Sequence, residues 1–189
     1  MAREAPPLAV FLVGFMGAGK SSVGRTLARR LQWLFEDLDD RIEQREGRTV
    51  PEIFRTTGEP DFRRAERGAL REVLEEVRGG GDARIVALGG GAFAQPAIAA
   101  LLQAARVPTI FLDAPVEELW KRCQDQAVTR GTERPLLSSM DRFSDLYRAR
   151  RKGYLRASRK IETGGRTIEA VAEEIAGALL EKKGESKND

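Results

Sequence analysis

The sequence predicts an α/β fold in three layers, α/β/α, around a central parallel sheet of five strands. Short apolar runs alternate with amphipathic stretches along the whole 189-residue chain, and parallel strands need a helix-length crossover between them. The first run, Leu8 to Val13, is apolar at every position, as in a strand buried on both faces. Glycines lead it directly into a helical stretch. No repeat, linker or low-complexity block breaks the pattern, so residues 1–189 read as one domain.

Each element follows from local signals. Residues 1–7 form a frayed lead-in ending at Pro6 and Pro7, and strand Leu8 to Val13 follows. A helix begins near Ser21, with Val23, Leu27 and Leu31 spaced along one face. Trp33 to Leu38 reads as the second strand and ends among carboxylates. Helical stretches follow at Asp40 to Glu46, Pro51 to Thr57 and Pro60 to Val77, the last broken by Gly79-Gly80-Gly81. Ile85 to Leu88 is a short strand running into Gly89-Gly90-Gly91, and Ala94 to Ala105 is a helix of small residues. The strand Val107 to Leu112 precedes a helix with Pro115 near its start and Glu117 and Glu118 in its first turn. Gln124 to Ser139 has no period and reads as a loop; Asp141 to Ala157 is a basic helix. Lys160 to Thr163 is the last strand, Thr167 caps a helix running to Glu181, and residues 182–189 are a polar, disordered tail.

Composition excludes several classes. Hydrophobic residues at 41% and charged residues at 32% describe a globular protein. No apolar run is long enough to span a bilayer, and the run at Leu8 lacks the flanks of an export signal, so the expected compartment is the cytoplasm, with no membrane partner. The single cysteine, Cys123, forbids an intrachain disulfide and reads as helix filler. A net charge of +3, despite 25 arginines and 7 lysines, does not mark a nucleic-acid protein. Histidine is absent, so any general base is a carboxylate, a lysine or a water.

Gly14-Phe-Met-Gly17-Ala18-Gly19-Lys20-Ser21 matches G-x-x-x-x-G-K-[ST] in full, between an apolar strand and an amphipathic helix. Glycines let several backbone N–H groups point at one phosphate chain, and the helix start adds its positive end. Gly17, Ala18, Gly19, Lys20, Ser21 and Ser22 are therefore read as ATP-binding, with Lys20 on the β- and γ-phosphates and the Ser21 hydroxyl on Mg²⁺.

A GTPase needs an N-K-x-D guanine reader, and the only asparagine is Asn188. A mechanical ATPase places an acidic pair after an apolar strand; here a lone aspartate, Asp113, follows Thr109 to Leu112 and reads as a helix-start residue. A small-molecule kinase fits better. Asp37 and Asp39 end the second strand, and strand alternation places both on one side, facing the crevice where open α/β sheets bind ligands. One carboxylate can serve the Mg²⁺ shell and the other the acceptor hydroxyl. Arg63, with Glu66 one turn on, can clamp an anionic acceptor, and Gly89, Gly90 and Gly91 allow close approach of the backbone. Arg134, in an aperiodic segment, suits a lid over residues 124–137.

The order of these motifs resembles the shikimate kinase family: G-x-x-G-x-G-K-S, D-x-D, F-R-R-x-x-E, G-G-G, R-P-L-L and R-x-x-x-Y, from about Leu8 to Glu181. The resemblance implies a nucleoside-monophosphate-kinase-like fold and transfer of the ATP γ-phosphoryl group to the 3-hydroxyl of shikimate, in the route to chorismate and the aromatic amino acids, by a monomer. It implies Mg²⁺ at Ser21 with Asp37 close by, shikimate held by Asp39, Arg63, Gly90 and Arg150 with Gly89 and Gly91 beside them, Arg134 reaching ATP, and Arg122 and Arg166 at the adenine. Catalysis would fall to Asp39, Lys20 and Arg134. Where the family often has proline two residues before the tyrosine, this chain has Lys152, and Arg151 stands as the alternative to Arg150. The stretch from Arg122 to Arg134 is longer than usual for the family. A related metabolite kinase, acting for example on gluconate, shares the same ATP chemistry.

Overall fold

The computed structural model describes residues 9–130 and 139–181, with side chains at 9–126 and 139–180. The frayed lead-in, the tail and Arg134 lie outside these residues. The elements are β1 (Ala9–Val13), α1 (Lys20–Leu31), β2 (Leu34–Asp37), α2 (Leu38–Glu46), α3 (Val50–Thr56), α4 (Gly58–Arg78), β3 (Arg84–Ala87), α5 (Pro96–Ala104), β4 (Thr109–Asp113), α6 (Val116–Arg130), α7 (Met140–Tyr154), β5 (Arg159–Glu162) and α8 (Ile168–Glu181). The five strands form one sheet in the order β2-β3-β1-β4-β5, and every neighbouring pair is parallel. No helix among the described residues is long and apolar enough to cross a membrane.

β1 is buried at every position because β3 and β4 flank it; Phe11 stands opposite both Val86 and Thr109. The connection after β1 runs to β2 and the connection after β3 runs the opposite way to β4, so the carboxyl ends of the adjacent strands β1 and β3 open the crevice in which such sheets bind ligands. α1 covers β2 and β3 and packs against α8, while α2, α3 and α4 pack together beyond β2.

Four sequence expectations are corrected. β2 ends at Asp37, not Leu38, because the Asp37 side chain caps α2 by accepting from the Asp39 amide at 3.2 Å. Asp39 therefore lies in the first turn of a helix, and strand alternation is not what places it. α6 continues to Arg130, so residues 124–130 are helical and the expected loop starts too early. Glycine and proline are absent there until Gly131, and the period fades because Gln124, Asp125 and Gln126 are exposed. α5 starts at Pro96, leaving Gly90 to Gln95 as a turn. Asp113 is the last, buried residue of β4, not the start of a helix.

α7 fastens that turn to the sheet. A Cβ on Gly153 would stand 2.7 Å from the Ala94 Cα, and Arg156 Nη2 donates to the carbonyls of Phe93 and Ala94 at 3.3 and 3.4 Å. Alanine at position 153 would favour the isolated helix by about 1 kcal/mol. We nevertheless expect Gly153→Ala to lose about 1–3 kcal/mol of stability, because backbone stands in the way. Chemical denaturation checks this; an alanine variant more stable than the parent contradicts it.

Candidate active site

The glycine-rich loop joins β1 to α1. Gly17 and Gly19 have left-handed φ values of 77° and 87°, which glycine adopts without a steric penalty. A Cβ on Gly17 would also stand 2.6 Å from the Leu119 carbonyl oxygen, so the loop rests on α6. Lys20 Nζ donates to the carbonyls of Gly14 and Phe15, both at 2.9 Å. Burial lowers its pKa to about 8, against the pull of Asp39 and Asp37.

Ser21 Oγ donates to Asp37 Oδ2 at 2.7 Å. A hydroxyl and a carboxylate are hard oxygen donors at the mouth of the phosphate loop. No cluster of three or more metal-ligating side chains exists among the described residues. This donor set suits Mg²⁺, which keeps several waters and is held by one or two protein oxygens together with phosphate.

Asp39 is the centre of a second group of charged side chains. Burial, then Asp37 and Glu66, raise its pKa to about 6, while Lys20 opposes the rise. Asp39 Oδ1 and Glu66 Oε1 are buried without a hydrogen-bond partner, and both face Gly89. A Cβ there would lie 2.8 Å from Asp39 Oδ1 and 3.4 Å from Glu66 Oε1, so glycine leaves the space in front of the two carboxylates. Glu66, 0% exposed, holds Arg63 through Nη1 at 2.9 Å and accepts from Gln95 Nε2 at 2.7 Å. Arg63 also donates to Glu59 at 2.9 Å.

Arg150 reaches the same place from α7. Arg63 Nη2 and Arg150 Nη2 would lie 2.8 and 3.3 Å from a Cβ on Gly91, and Arg150 stacks 5.8 Å from the Phe15 ring centroid. The buried Tyr154 hydroxyl donates to the Gly90 carbonyl. Arg151, one residue on, points elsewhere: its Nη2 donates to Asp113 Oδ2 at 2.7 Å. Asp39, Arg63, Arg150 and the three glycines thus surround one space.

A second space, a solvent-open cleft of about 550 Å³, lies beyond the phosphate loop. Gly17, Ala18, Gly19 and Ser22 form one wall, and Arg122 and Arg166 line it with Thr163. Arg122 Nη2 donates to the Thr163 carbonyl at 2.9 Å; Arg166 Nη1 donates to the Glu162 carbonyl at 3.0 Å. Sequence reasoning missed Thr163, Gln95 and the buried role of Asp113. Each acts through partners remote in the chain, and none carries a motif of its own.

A family model described as shikimate kinase matches residues 16–180. A shikimate kinase from Thermus thermophilus is 42% identical over 185 residues, covering 95% of each chain. The solved shikimate kinase from Acinetobacter baumannii in complex with shikimate superposes with a TM-score of 0.79 at 34% identity, covering 93% of this chain and 94% of that one. A gluconokinase from Sinorhizobium meliloti matches with a TM-score of 0.54 at 14% identity, covering 98% and 100%, which is a likeness of fold alone.

The two shifted groups predict a pH window. Asp39 is a carboxylate only above about 6 and Lys20 an ammonium only below about 8. If phosphoryl transfer needs both charges, kcat/KM should fall on the acid side with an apparent pKa near 6 and on the alkaline side near 8. A profile flat from pH 5 to 9 contradicts this.

Proposed function

Because the chain belongs to the shikimate kinase family, we propose that it transfers the γ-phosphoryl group of ATP to the 3-hydroxyl of shikimate, giving shikimate 3-phosphate and ADP, on the route to chorismate and the aromatic amino acids. The observation that carries the reading is the buried, unpartnered Asp39 Oδ1, set in a space walled by two arginines and three glycines. A carboxylic acid bearing a hydroxyl group fits it: the arginines take the carboxylate in a bidentate manner, and Asp39 takes the hydroxyl.

In this reading the phosphate loop holds the triphosphate by its backbone N–H groups, and Lys20 leaves the Gly14 and Phe15 carbonyls to meet the β- and γ-phosphates. Those anions raise its pKa and keep it charged. Ser21 and Asp37 would hold Mg²⁺, which neutralises phosphate charge when bound. Arg63 and Arg150 bind the shikimate carboxylate, while Gly89, Gly90 and Gly91 give the ring room against the backbone. The 3-hydroxyl oxygen bonds to the γ-phosphorus as the bond from that phosphorus to the β–γ bridging oxygen breaks, and the hydroxyl proton passes to Asp39. Arg122 and Arg166 flank the adenine. We extend the role of stabilising the transferring group to Arg134 on the strength of the R-P-L-L motif.

An ADP-release assay across shikimate, quinate, gluconate and nucleoside monophosphates tests the reading. ADP release should depend on shikimate; release that gluconate drives better, or that needs no acceptor, contradicts it. A hydrogen bond to a charged group contributes about 1.5–3 kcal/mol, so Arg63→Ala and Arg150→Ala should each raise the shikimate KM on the order of tenfold, with the ATP KM nearly unchanged.

A further inference from the structure

α7 carries two adjacent arginines, and only Arg150 faces the acceptor space. Successive residues on a helix point about 100° apart, so the rotational setting of α7 about its axis decides which of the two arginines faces the acceptor space. The geometry points to Asp113 as the positioning residue that fixes that setting. The inference rests on the reading that Arg150 binds the acceptor carboxylate.

Asp113 closes β4, beside the central strand, and is only 3% exposed. Both its carboxylate oxygens are engaged by α7: Tyr147 Oη donates to Oδ1 at 2.8 Å, and Arg151 Nη2 donates to Oδ2 at 2.7 Å. Arg151 Nε also donates to Tyr147 Oη at 3.1 Å, closing the triad. Lys160 of β5 is the other cation near it, at 3.8 Å. The triad reaches Arg150 by two routes. Backbone connectivity turns Arg150 toward Gly91 once Arg151 is anchored. The Tyr147 ring meets Phe15 edge-on at 5.6 Å, and the Arg150 guanidinium lies 5.8 Å from the centroid of the same ring.

The backbone of Asp113 serves the nucleotide side instead. Its carbonyl accepts from Thr163 N at 2.7 Å and Thr163 Oγ1 at 3.0 Å, and Thr163 in turn holds Arg122. A side-chain substitution at Asp113 therefore disturbs the acceptor arm and leaves the nucleotide cleft in place. Asparagine is the informative change. It has the same shape and keeps an oxygen for Tyr147, but it presents an NH₂ group to Arg151 and removes the charge.

Steady-state kinetics with both substrates varied, alongside melting temperatures, give the test. Asp113→Asn and Arg151→Gln should each raise the shikimate KM roughly three- to tenfold, with the ATP KM within about twofold. The double variant should be no worse than the worse single one, because both act through one contact. Arg151 is part-exposed, so Arg151→Gln keeps the test open if Asp113→Asn folds poorly. An unchanged shikimate KM in both variants with a lowered melting temperature makes the triad a stabilising contact and overturns the inference. A raised KM in Arg151→Gln alone makes Arg151 a direct acceptor ligand and overturns it too. Arg150→Ala, measured beside them, separates the two levels: a normal shikimate KM there removes the reading of Arg150, and the inference with it.

Discussion

The rest of the site is arranged around one disfavoured charge, the carboxylate of Asp39, held mostly out of water between two other carboxylates, Asp37 and Glu66, with the Lys20 ammonium as its counter-charge. A carboxylate in that position is a costly feature of a folded chain. It persists because surrounding elements over-determine it. The Asp37 cap fixes the first turn of α2, Gly89 in the turn after β3 leaves the carboxylate room that a side chain would fill, and Glu66 is paired separately with Arg63. Such a group is poised to take a proton, and its unpartnered oxygen marks where the proton donor belongs.

The sheet order explains how two substrates meet there. The connection after β1 runs to β2 on one side and the one after β3 crosses to β4 on the other, so the phosphate loop at the end of β1 lies between the glycine turn after β3 and the buried aspartate that ends β4. The nucleotide cleft is assembled from the loop, α6 and the β5–α8 connection, whereas the acceptor space takes its walls from α2, α4, the turn after β3 and α7. Lys20, in the phosphate loop and electrostatically coupled to Asp39, links the two, which suits in-line transfer between ligands bound by separate walls.

What could be read in the sequence was local. The phosphate loop, the glycine run after β3 and the Arg63–Glu66 pair all show in residues within one turn of each other. Asp39 was singled out by strand alternation, but a capping bond ends β2 one residue earlier than its apolar pattern suggests, and the first turn of α2 places it. The length of α6 was missed because Gln124, Asp125 and Gln126 are exposed and show no apolar stripe. Arg150 was preferred with Arg151 as its alternative, and what separates them lies far off in the chain: Arg151 is held by Asp113, 38 residues away. Its burial at a strand end looks in sequence like any helix-start aspartate.

The most direct test of the central role of Asp39 compares the stability of the parent and Asp39→Asn across pH. The folded-state pKa of about 6 lies above the ordinary aspartate value of 3.8, so the fold favours the protonated acid. The resulting penalty is absent below the unfolded pKa, grows as pH rises through the folded one and is complete above it. Asp39→Asn should therefore be more stable than the parent at pH 8, on the order of 1–3 kcal/mol, with the gap closing toward pH 4, while its turnover falls roughly 10²–10⁴-fold. Equal or lower stability of the variant at pH 8, or turnover near that of the parent, would contradict the account.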